Sequence, residues 1–314
     1  MTHSIYIKQV HKKTFLEVGA GAGYDSQFFM NNAWGLIVVM ILQTINGIDF
    51  KMATSYDFSF LKKYGKVFKV FDDQDSGNIC FGIEGEFEKL FVKFAGAPTA
   101  EYKGDTVDAI NRLKATIPIY QAVHQTSLIK FIGADEIGNG FAMIFNWSDG
   151  ECMGRMYPES HQKIMDLPIE EKIGIFRDIS AFLIDVSKQG YIAIDFYDGS
   201  IMYDSHNKET TICDIDFFRK SPSQNDMGQM WGSSRFMSPE EYELGATLDE
   251  ITNVFTLGQM GFSLFTDSNR GITAWPLSEE SYYVLMRAID TERNKRYQSI
   301  QDFAEYWNLA ITLQ

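Results

Sequence analysis

Apolar and polar positions change period several times along this chain. Residues 66–71 (KVFKVF) and 79–94 (ICFGIEGEFEKLFVKF) are dense in β-branched and aromatic side chains and are separated by the turn-forming DDQDSGN, which predicts three antiparallel strands. Residues 106–123 carry apolar positions at helical spacing, 128–132 and 141–145 return to strand, and 146–151 form a polar connector. Residues 169–189 then set Ile173, Phe176, Ile179, Phe182, Leu183 and Val186 along one helical face. Glu170 and Glu171 stand at the N-terminal end, where the helix dipole favours acids. Two short strands, 200–203 and 211–215, follow, and amphipathic helical patterns fill the rest. The order predicts an α+β chain with a small β-rich lobe, residues 52–146, and a mainly helical lobe, residues 147–314.

The first fifty-one residues follow another pattern. TFLEVGAGAGYD, residues 14–25, is a short apolar strand followed by Glu17, Gly19, Gly21 and Gly23, and it resembles the first motif of Rossmann-like S-adenosylmethionine methyltransferases. Such a domain needs several βα units, and only about one fits before the pattern changes near Met52. The expectation is a remnant, with residues 33–45 an apolar segment that packs loosely or docks on its neighbour. A chain starting near Met52 is then expected to fold unaided.

Length and charge narrow the function. The 314 residues, 45% hydrophobic, suffice for about two globular units at roughly 150 residues each. Lys+Arg number 28 against 42 Asp+Glu, a net charge of −14, which opposes binding of nucleic acid by charge. The longest apolar stretch, 33–45, contains Gln43 and Thr44 and is too short to span a membrane. Three dispersed cysteines without CxxC spacing fit a reducing, cytoplasmic setting. The five histidines form no pair at metal-ligand spacing.

Three later motifs occur in one order. GSSRFMSPEE, residues 232–241, looks like the end of a kinase activation segment, with Ser238-Pro239-Glu240 in place of Ala-Pro-Glu. TNVFTLGQMGFSLF, residues 252–265, is similar to the long kinase helix, and RAIDTERNKRYQSIQDF, residues 287–303, to the final subdomain with its buried arginine at Arg296. Over residues 60–310 the chain thus resembles the eukaryotic-type protein kinases, in the divergent form of bacterial serine/threonine kinase-like proteins.

The resemblance implies an ATP- and Mg²⁺-dependent phosphotransferase. It makes Lys93, in LFVKFAG, the phosphate-binding lysine, and Asp195, in YIAIDFYDGSIMYD, the aspartate that orients the acceptor hydroxyl. Asp214 becomes the principal Mg²⁺ ligand, with Asp216 and Ser200 as further ligands. Nucleotide contacts fall to Lys93, Gly77, Ile144 and Asn146. Glu240 and Arg296 correspond to a buried ion pair.

Several positions depart from the family. The loop that should be glycine-rich reads Asp72-Asp73-Gln74-Asp75-Ser76-Gly77-Asn78 and would set carboxylates against a triphosphate. The helix after Gly104 lacks the lysine's glutamate partner, and Thr116 stands near its position, so Lys93 needs orientation from Glu101 or Asp214. Ala193 and Ile194 replace the histidine and arginine before the catalytic aspartate, which removes the pocket that reads a phosphorylated segment. Tyr197 replaces a lysine, Ser200 a metal-binding asparagine, and Asn253 the aspartate that braces the catalytic loop. Asp198 or Asp216 would then have to compensate at the metal. These departures keep open a pseudokinase that scaffolds a partner. A small-molecule kinase of the aminoglycoside type would share Asp214 and Asp216, but the SPE segment and the Arg296 motif speak against it. The sequence leaves the phosphoacceptor unidentified.

Overall fold

In this computed structural model the described residues are 5–10, 13–18, 27–31 and 37–312, with side chains from Met40 onward. Five strands open the chain: β1 (Ile5–Val10), β2 (Lys13–Val18), β3 (Gln27–Asn31), β4 (Ile37–Ile45) and β5 (Ile48–Met52). Each pairs antiparallel with the next. A Rossmann-like unit would need parallel strands joined by a crossover. The three glycines of the methyltransferase-like motif lie outside the described residues.

A second antiparallel sheet, in the order β6-β7-β8-β10-β9, is built from β6 (Lys66–Phe71), β7 (Asn78–Glu84), β8 (Lys89–Ala95), β9 (Phe131–Ile137) and β10 (Gly140–Asn146). Between β8 and β9 lies α1 (Thr106–Ala122). One face of this sheet carries Ile79, Phe81, Ile83, Val92, Phe94 and Ile144, which bury with Ile41, Phe50, Met52, Phe58 and Leu61 in one cluster. Phe58 packs edge-on against Phe81 at 5.1 Å and Phe50 at 5.7 Å. Met52 bridges to Thr99 and the Ala53 amide bonds to the Pro98 carbonyl. The boundary expected at Met52 therefore falls inside a packed core, and the apolar run before it is not loose: β4 pairs on both sides and buries Met40 and Ile41.

Contacts divide the chain into two compact units, residues up to 115 with 130–147, and residues 116–129 with 148–314. The second unit continues with β11 (Glu151–Cys152), α2 (Pro158–Met165), α3 (Ile169–Lys188), β12 (Tyr191–Ile192), β13 (Ile201–Asp204), β14 (Glu209–Ile212), β15 (Arg219–Lys220), β16 (Ser223–Gln224), β17 (Thr247–Leu248), α4 (Glu250–Thr266), α5 (Glu279–Ala288) and α6 (Ile300–Thr312). Helix α4 begins at a capping box, Asp249 with Thr252, and is buried along residues 252–265. Gly258 and Gly261 admit α5: a Cβ on either would lie 2.5–2.6 Å from Ile289 or Leu285. Trp307 of α6 meets Phe176 of α3 at 4.7 Å and Phe265 of α4 at 5.6 Å, so three helices share one aromatic core. No helix among the described residues is long and apolar enough to cross a membrane. The architecture is mixed α+β.

Candidate functional site

The loop after β12 is fixed from beneath by its apolar residues. Ile192 and Ile194 bury with Met230, Met237 and Leu248, and Phe196 stacks on Phe182 at 6.0 Å. Asp195, between them, is half-buried and has φ 56°. Asp214, after β14, is exposed with φ 57°. Left-handed backbone at two non-glycine residues costs free energy and persists only where surrounding contacts impose it.

Those contacts are specific. Asn253 of α4 is buried, accepts the Ala193 amide at 2.9 Å and donates to the Ala193 carbonyl at 2.7 Å, so the expected loss of a brace is corrected: the amide closes both groups of the loop backbone. On the other side, the Tyr120 hydroxyl donates to Asp216 at 3.0 Å and accepts the Ile215 amide at 3.2 Å. The Cys213 amide bonds to the Ser200 carbonyl at 2.8 Å, tying the Asp214 segment to the Asp195 loop. Tyr197 lies where both aspartates act on it. Burial first, then the charges of Asp214 and Asp195, push its phenol well above the ordinary range, and it stays neutral.

Mg²⁺ takes hard oxygen donors in near-octahedral geometry. Ser200 is fully buried and its hydroxyl has no hydrogen-bond partner, which suits an oxygen ligand. Asp216 gives one oxygen to Tyr120. Asp198 is fully buried and paired with Arg235 at 2.7 Å, so it cannot compensate at a metal. Among the described residues no cluster of three or more His, Cys, Asp or Glu could hold a metal ion. Asp214 and Ser200 are two oxygen donors against the near-octahedral shell that Mg²⁺ takes, so phosphate oxygens and water would have to supply the rest.

In the first unit, Lys93 stands on β8 between Cys80 of β7 and Met143 of β10. Two rungs along are Gly82, Phe91 and Phe145, and Phe91 also approaches Phe71 at 5.8 Å and Trp147 at 6.5 Å. Two residues expected to contact nucleotide have packing partners of their own here. Gly77 has φ 82°, and a Cβ there would meet the Tyr102 ring at 2.8 Å and Ala109 at 2.9 Å, so its glycine serves packing against α1. Ile144 turns into the core with Val92 and Phe81. The Asn146 side chain donates to Glu88 at 3.3 Å and leaves its buried oxygen without a partner.

The acidic loop has partners of its own. Asp72 accepts the Lys51 amide at 2.6 Å and Asp73 pairs with the Lys51 ammonium at 2.8 Å. Burial pulls that ammonium down, but the bond to Asp73 and the charges of Asp73, Asp72 and Glu101 outweigh it and hold Lys51 above its ordinary value. Arg112 of α1 donates to the Ser76 carbonyl and to the Tyr102 hydroxyl, both at 2.9 Å.

The buried pair is present. Arg296 donates from two nitrogens to the two Glu240 oxygens at 2.8 and 3.0 Å. Burial pushes Glu240 up, and the Arg296 bonds and charge overcome it, leaving the carboxyl below its ordinary value. Sequence reasoning missed Tyr120 and Arg235, whose partners lie 96 and 37 residues away and leave no local pattern. No known family model matches the chain, and no curated protein matches it.

Proposed function

We propose that the chain is a divergent protein kinase-like phosphotransferase of two lobes that uses ATP and Mg²⁺ and works in the cytoplasm. The observation that carries this reading is the pair Asp195 and Asp214, both in left-handed backbone, both acting on Tyr197, and each held by its own clamp. In this reading Asp195 orients the proton of an acceptor hydroxyl, Asp214 and Ser200 hold the cation, and Lys93 meets the phosphates. Mg-ATP supplies the phosphoryl group and neutralises charge on it. Helix α4 supports the site through Asn253, and the Glu240–Arg296 pair fixes the segment that follows it. On full-length protein, Asp195→Asn and Lys93→Met should each abolish Mg-ATP consumption and autophosphorylation. Unchanged turnover in both variants would remove the catalytic assignment.

A second reading, a pseudokinase that binds a partner, is favoured by the closed loop of residues 72–77. Gly77 is packed on Tyr102 and Ala109, Arg112 fastens Ser76, and aromatic rings crowd the sheet beside Lys93. Absence of any Mg-ATP-dependent rise in melting temperature would select this reading.

A further inference from the structure

Asp198 follows Asp195 by three residues and is fully buried. A buried carboxylate needs a compensating charge, and its partner comes from another segment. Arg235 Nη2 lies 2.9 Å from one Asp198 oxygen and 2.7 Å from the other. Ser263 of α4 donates to the same carboxylate at 3.3 Å. The Arg235 guanidinium also stands 4.8 Å over the Phe236 ring, which neighbours Tyr197 at 6.4 Å. Arg235 belongs to the stretch just before the Ser238 capping box, and a Cβ on Gly232 of that stretch would lie 3.5 Å from an Asp195 carboxylate oxygen. Gly232 leaves open the space beside Asp195, and loop and segment are joined at Asp198.

The segment is also ordered by its own side chains. The Asn225 side chain donates to the Gly228 and Glu240 carbonyls and accepts the Met227 and Gly228 amides. Phe217 stacks on Trp231 at 5.7 Å, and Arg219 pairs with Asp226 at 2.9 Å.

We infer that Arg235 is a positioning residue, clasping Asp198 so that the Asp195 loop and the segment of residues 217–238 hold each other without a modification. The proposal deepens the phosphotransfer reading and rests on it for its kinetic consequence, whereas its structural consequence can be measured independently.

The test is hydrogen exchange on full-length, phosphatase-treated protein, together with steady-state Mg-ATP turnover. In wild type, amides of residues 193–200 and 228–238 should be protected. Arg235→Gln should raise their exchange at least about tenfold while α4 and α6 keep theirs, and Arg235→Lys should restore part of the protection. Turnover should lose kcat with KM for ATP unchanged. Should Arg235→Gln fail to fold because Asp198 is stranded, the double variant Asp198→Asn with Arg235→Gln removes both charges, and it should fold with the same two stretches deprotected. Unprotected stretches in wild type, exchange unaffected by Arg235→Gln, or loosening spread evenly over the second unit would overturn the proposal. Wild type without turnover refutes the phosphotransfer reading alone, and the exchange result still decides the clasp.

Discussion

Asn253 shows how much one side chain can set. Its amide satisfies both polar groups of Ala193, two residues before Asp195, in the buried interior. Alanine there would strand one buried donor and one buried acceptor, and we expect urea denaturation to show a loss of about 2–4 kcal/mol. Aspartate would not rescue it, since it keeps an acceptor for the amide but turns a carboxylate oxygen toward the Ala193 carbonyl. Gly77→Ala should cost about 1–3 kcal/mol in the same assay, from positive φ and the Tyr102 ring together. Such roles were hard to read in the sequence because the partner is remote. Gly77 looked like a phosphate-loop glycine, and only the fold sets Tyr102 and Ala109 against it. Asp198 looked like a spare metal ligand, and only the fold buries it on Arg235.

At the level of elements, the short helical turn Pro239–Tyr242 sets two adjacent glutamates in opposite situations. Glu240 faces Arg296, while Glu241 is buried and raised from its ordinary 4.5 to about 7, burial outweighing the Ser238 bonds that pull it down. Between those values the folded chain holds a proton that the unfolded chain has released. The stability from Glu241 is therefore full below about pH 4.5 and lost as pH rises to about 7, on the order of 3 kcal/mol across the window. Glu240 has the opposite sign, its contribution being present above its ordinary value and lost on acidification. Glu241→Gln keeps an acceptor for the Ser238 amide and should flatten the stability profile between pH 5 and 7. A profile unchanged from wild type would place the titration elsewhere. The turn itself went unread, although Ser-Pro-Glu-Glu is an N-terminal capping pattern. Helix α3 was legible from its helical period, and β6 to β8 from β-branched and aromatic runs bounded by a turn. The β4–β5 hairpin was not, because a continuous apolar run has no period to distinguish a paired strand from an orphan segment.

For the molecule as a whole, that hairpin decides where an independent chain can begin. Phe50 is 1% exposed and contacts Phe58 and Phe81, and Ile41 and Met52 share the same cluster. A chain starting at Met52 would lose Ile41 and Phe50 and bare the part of the β7, β8 and β10 face that they cover. Burying side chains of this size contributes roughly 1.5–3 kcal/mol each, and two of them are a large share of the stability of an ordinary domain. Phe50→Ala in the full chain should cost about 3–5 kcal/mol. The truncated chain should lower the melting temperature further, bind a hydrophobic dye and aggregate. Equal melting of the Met52 chain and the full chain would mean that the leader strands lie on a core complete without them.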